Sequence, residues 1–118
     1  MSRISAVTGS SGNWNAERLR LSEHTIKMAD KIDDMLPSGS AMIPRASGTI
    51  EFLYNAEHGK GLSFGVSDRG LSCLLELSGE RHFFYIAENN IRKVSEIAKL
   101  FLSQDTDKLK EIALSLKN

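Results

Sequence analysis

A chain of 118 residues, 41% apolar and 25% charged, has the size and make-up of one globular domain that can bury a core without metal or disulfide staples. Fifteen Lys and Arg balance fifteen Asp and Glu, a balance that argues against non-specific nucleic-acid binding, which requires a concentrated basic surface, without excluding a local patch. The single cysteine, Cys73, excludes an intrachain disulfide and fits a reducing, cytoplasmic setting, and no apolar run reaches the ~20 residues of a membrane span or forms the core of a signal peptide.

Residues 1–13 are small, polar and glycine-containing, and read as a flexible N-terminal arm ahead of a single domain over residues 14–118. Within the arm, Ile4-Ser5-Ala6-Val7-Thr8-Gly9-Ser10-Ser11-Gly12 has the look of a strand entering the glycine-rich turn of a dinucleotide site. Such a site needs a parallel βαβ unit, and the next forty residues hold a helix pattern and no buried strand.

The spacing predicts a helix over 15–36. Asn15 is placed to cap it, Trp14 and Leu19 to staple its start, and Leu21, Thr25, Met28, Ile32 and Met35 to line one face, widened by Ala29 and Leu36. Ile26 falls on the far side near Leu19, as an isolated surface residue or part of a second contact face. Pro37 and Gly39 end the helix, and residues 37–47 read as a connecting loop from which Met42 and Ile43 dip back to the core.

From Gly48 to Ile86 the pattern changes period from helical to alternating, the mark of an antiparallel meander. Four strands are expected. The first runs from Thr49 to Asn55, the second carries Leu62, Phe64 and Val66, the third spans Leu71–Leu77, and the fourth runs from Glu80 to about Ile86. Their connections are Ala56–Gly61, the turn Ser67-Asp68-Arg69-Gly70 with a positive φ at Gly70, and the two-residue turn Ser78-Gly79. The last turn sets a register in which Glu76 faces Arg81, Leu74 faces Phe83, Ser72 faces Tyr85, Cys73 faces Phe84 and Leu71 faces Ile86. Ile50, Phe52, Tyr54, Leu62, Phe64, Val66, Leu71, Cys73, Leu75, Phe84 and Ile86 then form the core face. The opposite face carries Glu51, Leu53, Ser63, Gly65, Ser67, Ser72, Leu74, Glu76, Arg81, Phe83 and Tyr85. Its centre is small and polar, and Leu74, Phe83 and Tyr85 make it more apolar than a fully wet face needs to be.

After the sheet, Asn89 or Asn90 is placed to cap a helix running to about Leu102, with Ile91, Val94, Ile97, Ala98, Phe101 and Leu102 as its stripe. Asp105 caps a last helix bearing Leu109, Ile112, Ala113 and Leu116. The fold class expected is α+β: a four-stranded antiparallel meander with one N-terminal and two C-terminal helices packed on one face.

No group of residues announces catalysis. His24, His58 and His82 stand apart, without metal-site spacing; His24 reads as a helix-surface residue, His58 as a turn residue and His82 as a partly buried core-face residue. Cys73 lies mid-strand with no activating neighbour. The turn His58-Gly59-Lys60-Gly61 could cradle a phosphate, but a plain hairpin loop accounts for it. The helix cations alternate with acids, as on a salt-bridged solvent face, and few stand beside Phe83 and Tyr85, so neither a nucleic-acid stripe nor single-strand stacking is expected.

Leu36-Pro37, the loop with Pro44, Gly48-Thr49-Ile50-Glu51-Phe52-Leu53-Tyr54 and Leu62-Ser63-Phe64-Gly65-Val66-Ser67-Asp68-Arg69-Gly70 are similar to a set of small uncharacterised bacterial proteins. Those have a leading helix ending in Leu-Pro, a Gly-x-Ile-x-hydrophobic-x-aromatic strand, and a second strand ending in an Asp-x-Gly turn. The resemblance covers residues 30–75, with Tyr54 where tryptophan is commoner, and implies a product of accessory, toxin–antitoxin-like or mobile loci with no catalytic residue to carry over. The expectation is a non-enzymatic interaction protein of immunity, antitoxin or inhibitor type, needing no cofactor or metal. It would occlude a protein partner such as a toxin or effector through Leu53, Leu74, Phe83, Tyr85, Glu76 and Arg81. The alternatives are a self-associating structural or regulatory homodimer and a small-molecule or nucleotide-binding domain; neither a nucleic acid nor a membrane is expected as partner.

Overall fold

The computed structural model describes residues 21–57 and 59–117. Among them the chain runs helix α1 (Glu23–Met35), strands β1 (Ala41–Pro44), β2 (Ile50–Glu57), β3 (Lys60–Ser67), β4 (Gly70–Leu77) and β5 (Glu80–Ile86), a 3-10 turn at Glu88–Asn90, then helices α2 (Arg92–Leu102) and α3 (Thr106–Lys117). The fold is α+β, and its antiparallel sheet has five strands in the order β1-β2-β3-β4-β5.

The fifth strand corrects the expectation of four. Ala41–Pro44, expected within a loop, pairs antiparallel with β2, Met42 opposite Phe52 and Ile43 opposite Glu51. Pro37 and Pro44 within residues 37–47 hide it, yet Pro44 is tolerated because β1 is an edge strand and its missing N–H costs no ladder bond on the outer side. Met42 packs against the core, whereas Ile43 belongs to the opposite face. The β2–β3 connection is also tighter than expected. Glu57 pairs with Lys60 across a register shift after Tyr54, and Gly59 takes φ +76°.

The β4–β5 register is the expected one throughout, from Leu71 opposite Ile86 to Glu76 opposite Arg81. Ser78 and Gly79 both have positive φ, +53° and +84°, so the turn is of the primed kind that matches the twist of its strands. Gly70, at φ +123°, closes the β3–β4 hairpin. Every residue of the expected core face is buried, and Leu77 and His82 join them.

α1 is shorter at its start than the periodicity implies. Ser22 is extended, at φ −79° and ψ 161°, and caps the helix by accepting the Thr25 amide at 3.0 Å; the expected cap at Asn15 and the Trp14–Leu19 staple lie outside the described residues. Thr25, Met28, Ala29 and Ile32 are its buried residues, and Met35 and Leu36 are half-buried. Ile26 is partly buried against the core, and Leu19, expected beside it, lies outside the described residues. Tyr54 donates its hydroxyl to the Pro37 carbonyl at 2.6 Å, tying β2 to the end of α1 with a polar tip that a tryptophan could not place in the same way.

α2 starts without the expected asparagine cap. Asn89 and Asn90 lie in the 3-10 turn, and Ile91, at the cap position, makes no side-chain capping bond. Val94, Ile97 and Ala98 are buried, Leu100 packs against the core, and Leu102, expected in the stripe, is exposed. Asp105 does cap α3, accepting the Lys108 amide at 3.3 Å, and Leu109 and Ala113 are buried. α1 contacts β2 and β3, α2 contacts β3, and α3 contacts β5; their buried residues share one core cluster with the sheet.

Candidate functional site: the open face of the sheet

Strand pleating sends alternate side chains to opposite faces, so the residues that leave the core must line the other surface. The pairings arrange them in rows across the sheet. One row reads Ala41, Leu53, Ser63, Leu74, Phe83; the next reads Ile43, Glu51, Gly65, Ser72, Tyr85; a shorter third row on the far side of the first reads Gly61, Glu76, Arg81. All of Leu53, Leu74, Phe83, Tyr85, Glu76 and Arg81 therefore lie on one face. Ala41 and Ile43 were missed because their strand was read as loop, and only its pairing with β2 places them on this face.

The face has a distinct relief. Phe83 is 52% exposed and Tyr85 67%, and their rings meet edge to face at 5.3 Å and 84°. Along the central strand β3 the face carries only Gly61, Ser63, Gly65 and Ser67. Over it lies a shallow depression of about 170 Å³ lined by Leu53, Gly61, Ser63, Leu74 and Glu76. At Gly65 a Cβ would stand 3.0 Å from the Ser72 hydroxyl, so a side chain there would crowd the neighbouring strand. Ion pairs mark the two ends of the face: Arg81 Nε is 3.4 Å from Glu76 Oε1, and Arg45 lies 3.3 Å from Glu51. Each pair is locally neutral. The surface thus consists of apolar flanks, a low uncharged middle and compensated ends.

Elsewhere the chemistry is structural. Ser22, His24 and Asp68 come near one another, but their connections are those of a cap. The Ser22 hydroxyl donates directly to the Asp68 carboxylate and accepts from the Thr25 amide, while the Thr25 hydroxyl donates to the same carboxylate at 3.1 Å. The Ser22 and Thr25 hydroxyls, with a smaller contribution from the His24 charge, hold the Asp68 carboxyl below its ordinary 3.8, which makes it a poor general base. This cluster ties the β3–β4 turn to the start of α1 across more than forty residues of sequence, a contact no local pattern could disclose.

His24 instead stands 3.3 Å from Glu88, both side chains largely exposed. His82 is buried on the core side, its Nε2 3.5 Å from Glu80. Burial pushes the Cys73 thiol far above its ordinary value, so it is no nucleophile. His58 lies outside the described residues, and Lys60 of the possible phosphate turn is already the first residue of β3.

A groove of about 570 Å³ between α2 and α3 has Leu100, Ile112 and Leu116 at its base and Lys93, Glu96, Lys108 and Glu111 around it. These mixed charges single out no ligand. Among the described residues no three of His, Cys, Asp and Glu converge to hold a metal ion, and no helix is long and apolar enough to cross a membrane. Compared with protein-family models, curated proteins and solved structures, the chain matches none.

Proposed function

We propose that this protein is a non-enzymatic interaction domain of immunity, antitoxin or inhibitor type, which acts by covering a protein partner with the open face of its sheet. The reading takes the three helices to lie together on the core side, so that the sheet's other side is left for a partner. The observation that supports it best is the row Leu53, Ser63, Leu74, Phe83 with the neighbouring Tyr85, where two aromatic rings project beside a low, uncharged middle. Exposed aromatics beside a small-residue floor are the anchors from which interfaces draw most of their energy. The cytosol is the fitting compartment, since Cys73 has no partner within the chain with which to form a disulfide.

The test is co-expression with the product of the adjacent gene, which the resemblance to accessory loci makes the first partner to try. A complex should form with the wild type and be lost with Phe83→Glu and with Leu74→Glu, each still folded by circular dichroism. A complex indifferent to both substitutions would sink the open face as the binding surface.

A further inference from the structure

We infer that the occupant of the open face in the isolated protein is a second copy of the same chain, stacked sheet on sheet about a two-fold axis that runs along β3. The inference rests on reading this face as the working surface and adds the partner and the geometry. In a two-fold interface residues on the axis face themselves, and every other residue i meets a j that meets i in return. The strand on the axis must therefore carry nothing that repels its own image. β3 is the central strand, and toward this face it presents Gly61, Ser63, Gly65 and Ser67, all small and uncharged.

The rest of the face then has to match across the axis. A two-fold parallel to β3 keeps each row in place and exchanges β2 with β4 and β1 with β5. In the first row Leu53 comes to lie over Leu74 of the second copy, and the small Ala41 over the bulky Phe83; in the second row Ile43 lies over Tyr85 and Glu51 over Ser72. Each large apolar residue meets an apolar one. The smallest apolar residue, Ala41, faces one of the rings, and Glu51 keeps its own Arg45. An axis perpendicular to the strands would set Leu53 against Glu51 if it lay between the first two rows, Tyr85 against Arg81 if it lay on the first, and Glu51 against its own image if it lay on the second. Of these arrangements, the parallel axis pairs the apolar residues of both rows with one another. The Glu76–Arg81 and Arg45–Glu51 pairs, neutral at the two ends, leave no net charge to oppose the approach.

The area is sufficient. Strands about 4.8 Å apart and eight residues long, with β5 at seven and β1 at four, give a face of roughly 600 Å² on each copy, or about 1,200 Å² for the pair, at the lower end of specific interfaces. Sheets stacked ~10 Å apart, in the manner of a β-sandwich, leave a gap that Leu53, Leu74, Phe83 and Tyr85 on the flanking strands are long enough to span.

Residue 63 provides the test, because it meets its own image. Sedimentation equilibrium at about 100 μM should give wild-type protein a mass twice the chain's 13.0 kDa. Ser63→Lys and Ser63→Glu, each placing like charges across the axis, should each give the single-chain mass with an unchanged far-UV spectrum. An equimolar mixture of the two should recover the dimer, with one chain of each kind. A monomeric wild type, a Ser63→Lys protein that still dimerises, or a mixture that stays monomeric would overturn the inference. If the wild type is monomeric while Phe83→Glu still abolishes a complex with a protein partner, the dimer falls and the open face stands as the working surface. If the dimer survives Ser63→Lys and the complex survives Phe83→Glu, both fall.

Discussion

Phe83 and Phe84 are neighbours in sequence with the same side chain, and the two-faced sheet requires that truncating them have unequal consequences. Phe84 is 3% exposed, sits opposite Cys73 and belongs to the core cluster. Its replacement by alanine loses the transfer energy of a buried ring and leaves a cavity that a packed core cannot fully close, about 3–5 kcal/mol. Phe83 is 52% exposed, so its truncation opens no cavity and forfeits about half of the ~1.5–3 kcal/mol of a fully buried ring, together with part of the edge contact to Tyr85. That comes to about 1 kcal/mol. Against a total stability of roughly 6–18 kcal/mol for a chain of this length, Phe84→Ala removes a large share and Phe83→Ala a small one. Urea unfolding followed by circular dichroism, at low micromolar protein so that self-association adds little, measures both. The midpoint should fall several-fold further for Phe84→Ala, with similar slopes. Equal losses would mean that residues 83 and 84 do not lie on opposite faces, and the account of the open surface would fail with them.

Ser78 holds φ +53°, which costs a side chain other than asparagine or glycine about 1 kcal/mol, so Ser78→Asn should stabilise the protein by about 0.5 kcal/mol in thermal melts and Ser78→Val should destabilise it. The Cys73 thiol, raised by burial, stays protonated in the folded chain while the unfolded chain ionises above the ordinary value of 9.0. Stability should therefore fall as pH rises past 9.0, less steeply in Cys73→Ala, and native protein should react with thiol reagents only at the rate of unfolding. Asp68 behaves in the opposite sense. Its carboxyl is held below 3.8 by Ser22 first and then Thr25, so its contribution is complete above 3.8 and is lost as pH falls through the lower folded value. A carboxyl-carbon NMR titration should place the Asp68 midpoint below 3.8, and Thr25→Val should move it up; a midpoint unmoved by Thr25→Val would remove that hydroxyl as a cause.

Much of the sheet is legible from sequence because two local rules agree there. The alternation of Leu71, Cys73, Leu75 and Leu77 gives the faces, and Ser78-Gly79 gives the turn that sets the partner strand, so β4 and β5 follow residue by residue. β1 escapes because four residues ending in Pro44 look like loop until β2 is present to pair with them. The start of α1 escapes for a related reason: apolar spacing runs on through Leu21, and the cap at Ser22 gains its second partner from Asp68, far along the chain. The candidate surface divides in the same way. Leu74, Phe83 and Tyr85 can be placed from the turn register alone, whereas Ala41 and Ile43, which complete the face and make it self-complementary, depend on a long-range pairing.

The central claim, that the open face is the surface through which this protein meets a second copy of itself, is tested most directly by chemical-shift mapping over a dilution series from about 300 to about 10 μM. Concentration-dependent shifts should be confined to Ala41, Ile43, Leu53, Ser63, Gly65, Ser72, Leu74, Phe83 and Tyr85. Spectra that do not change on dilution, or shifts centred on Leu100, Ile112 and Leu116 between α2 and α3, would contradict it.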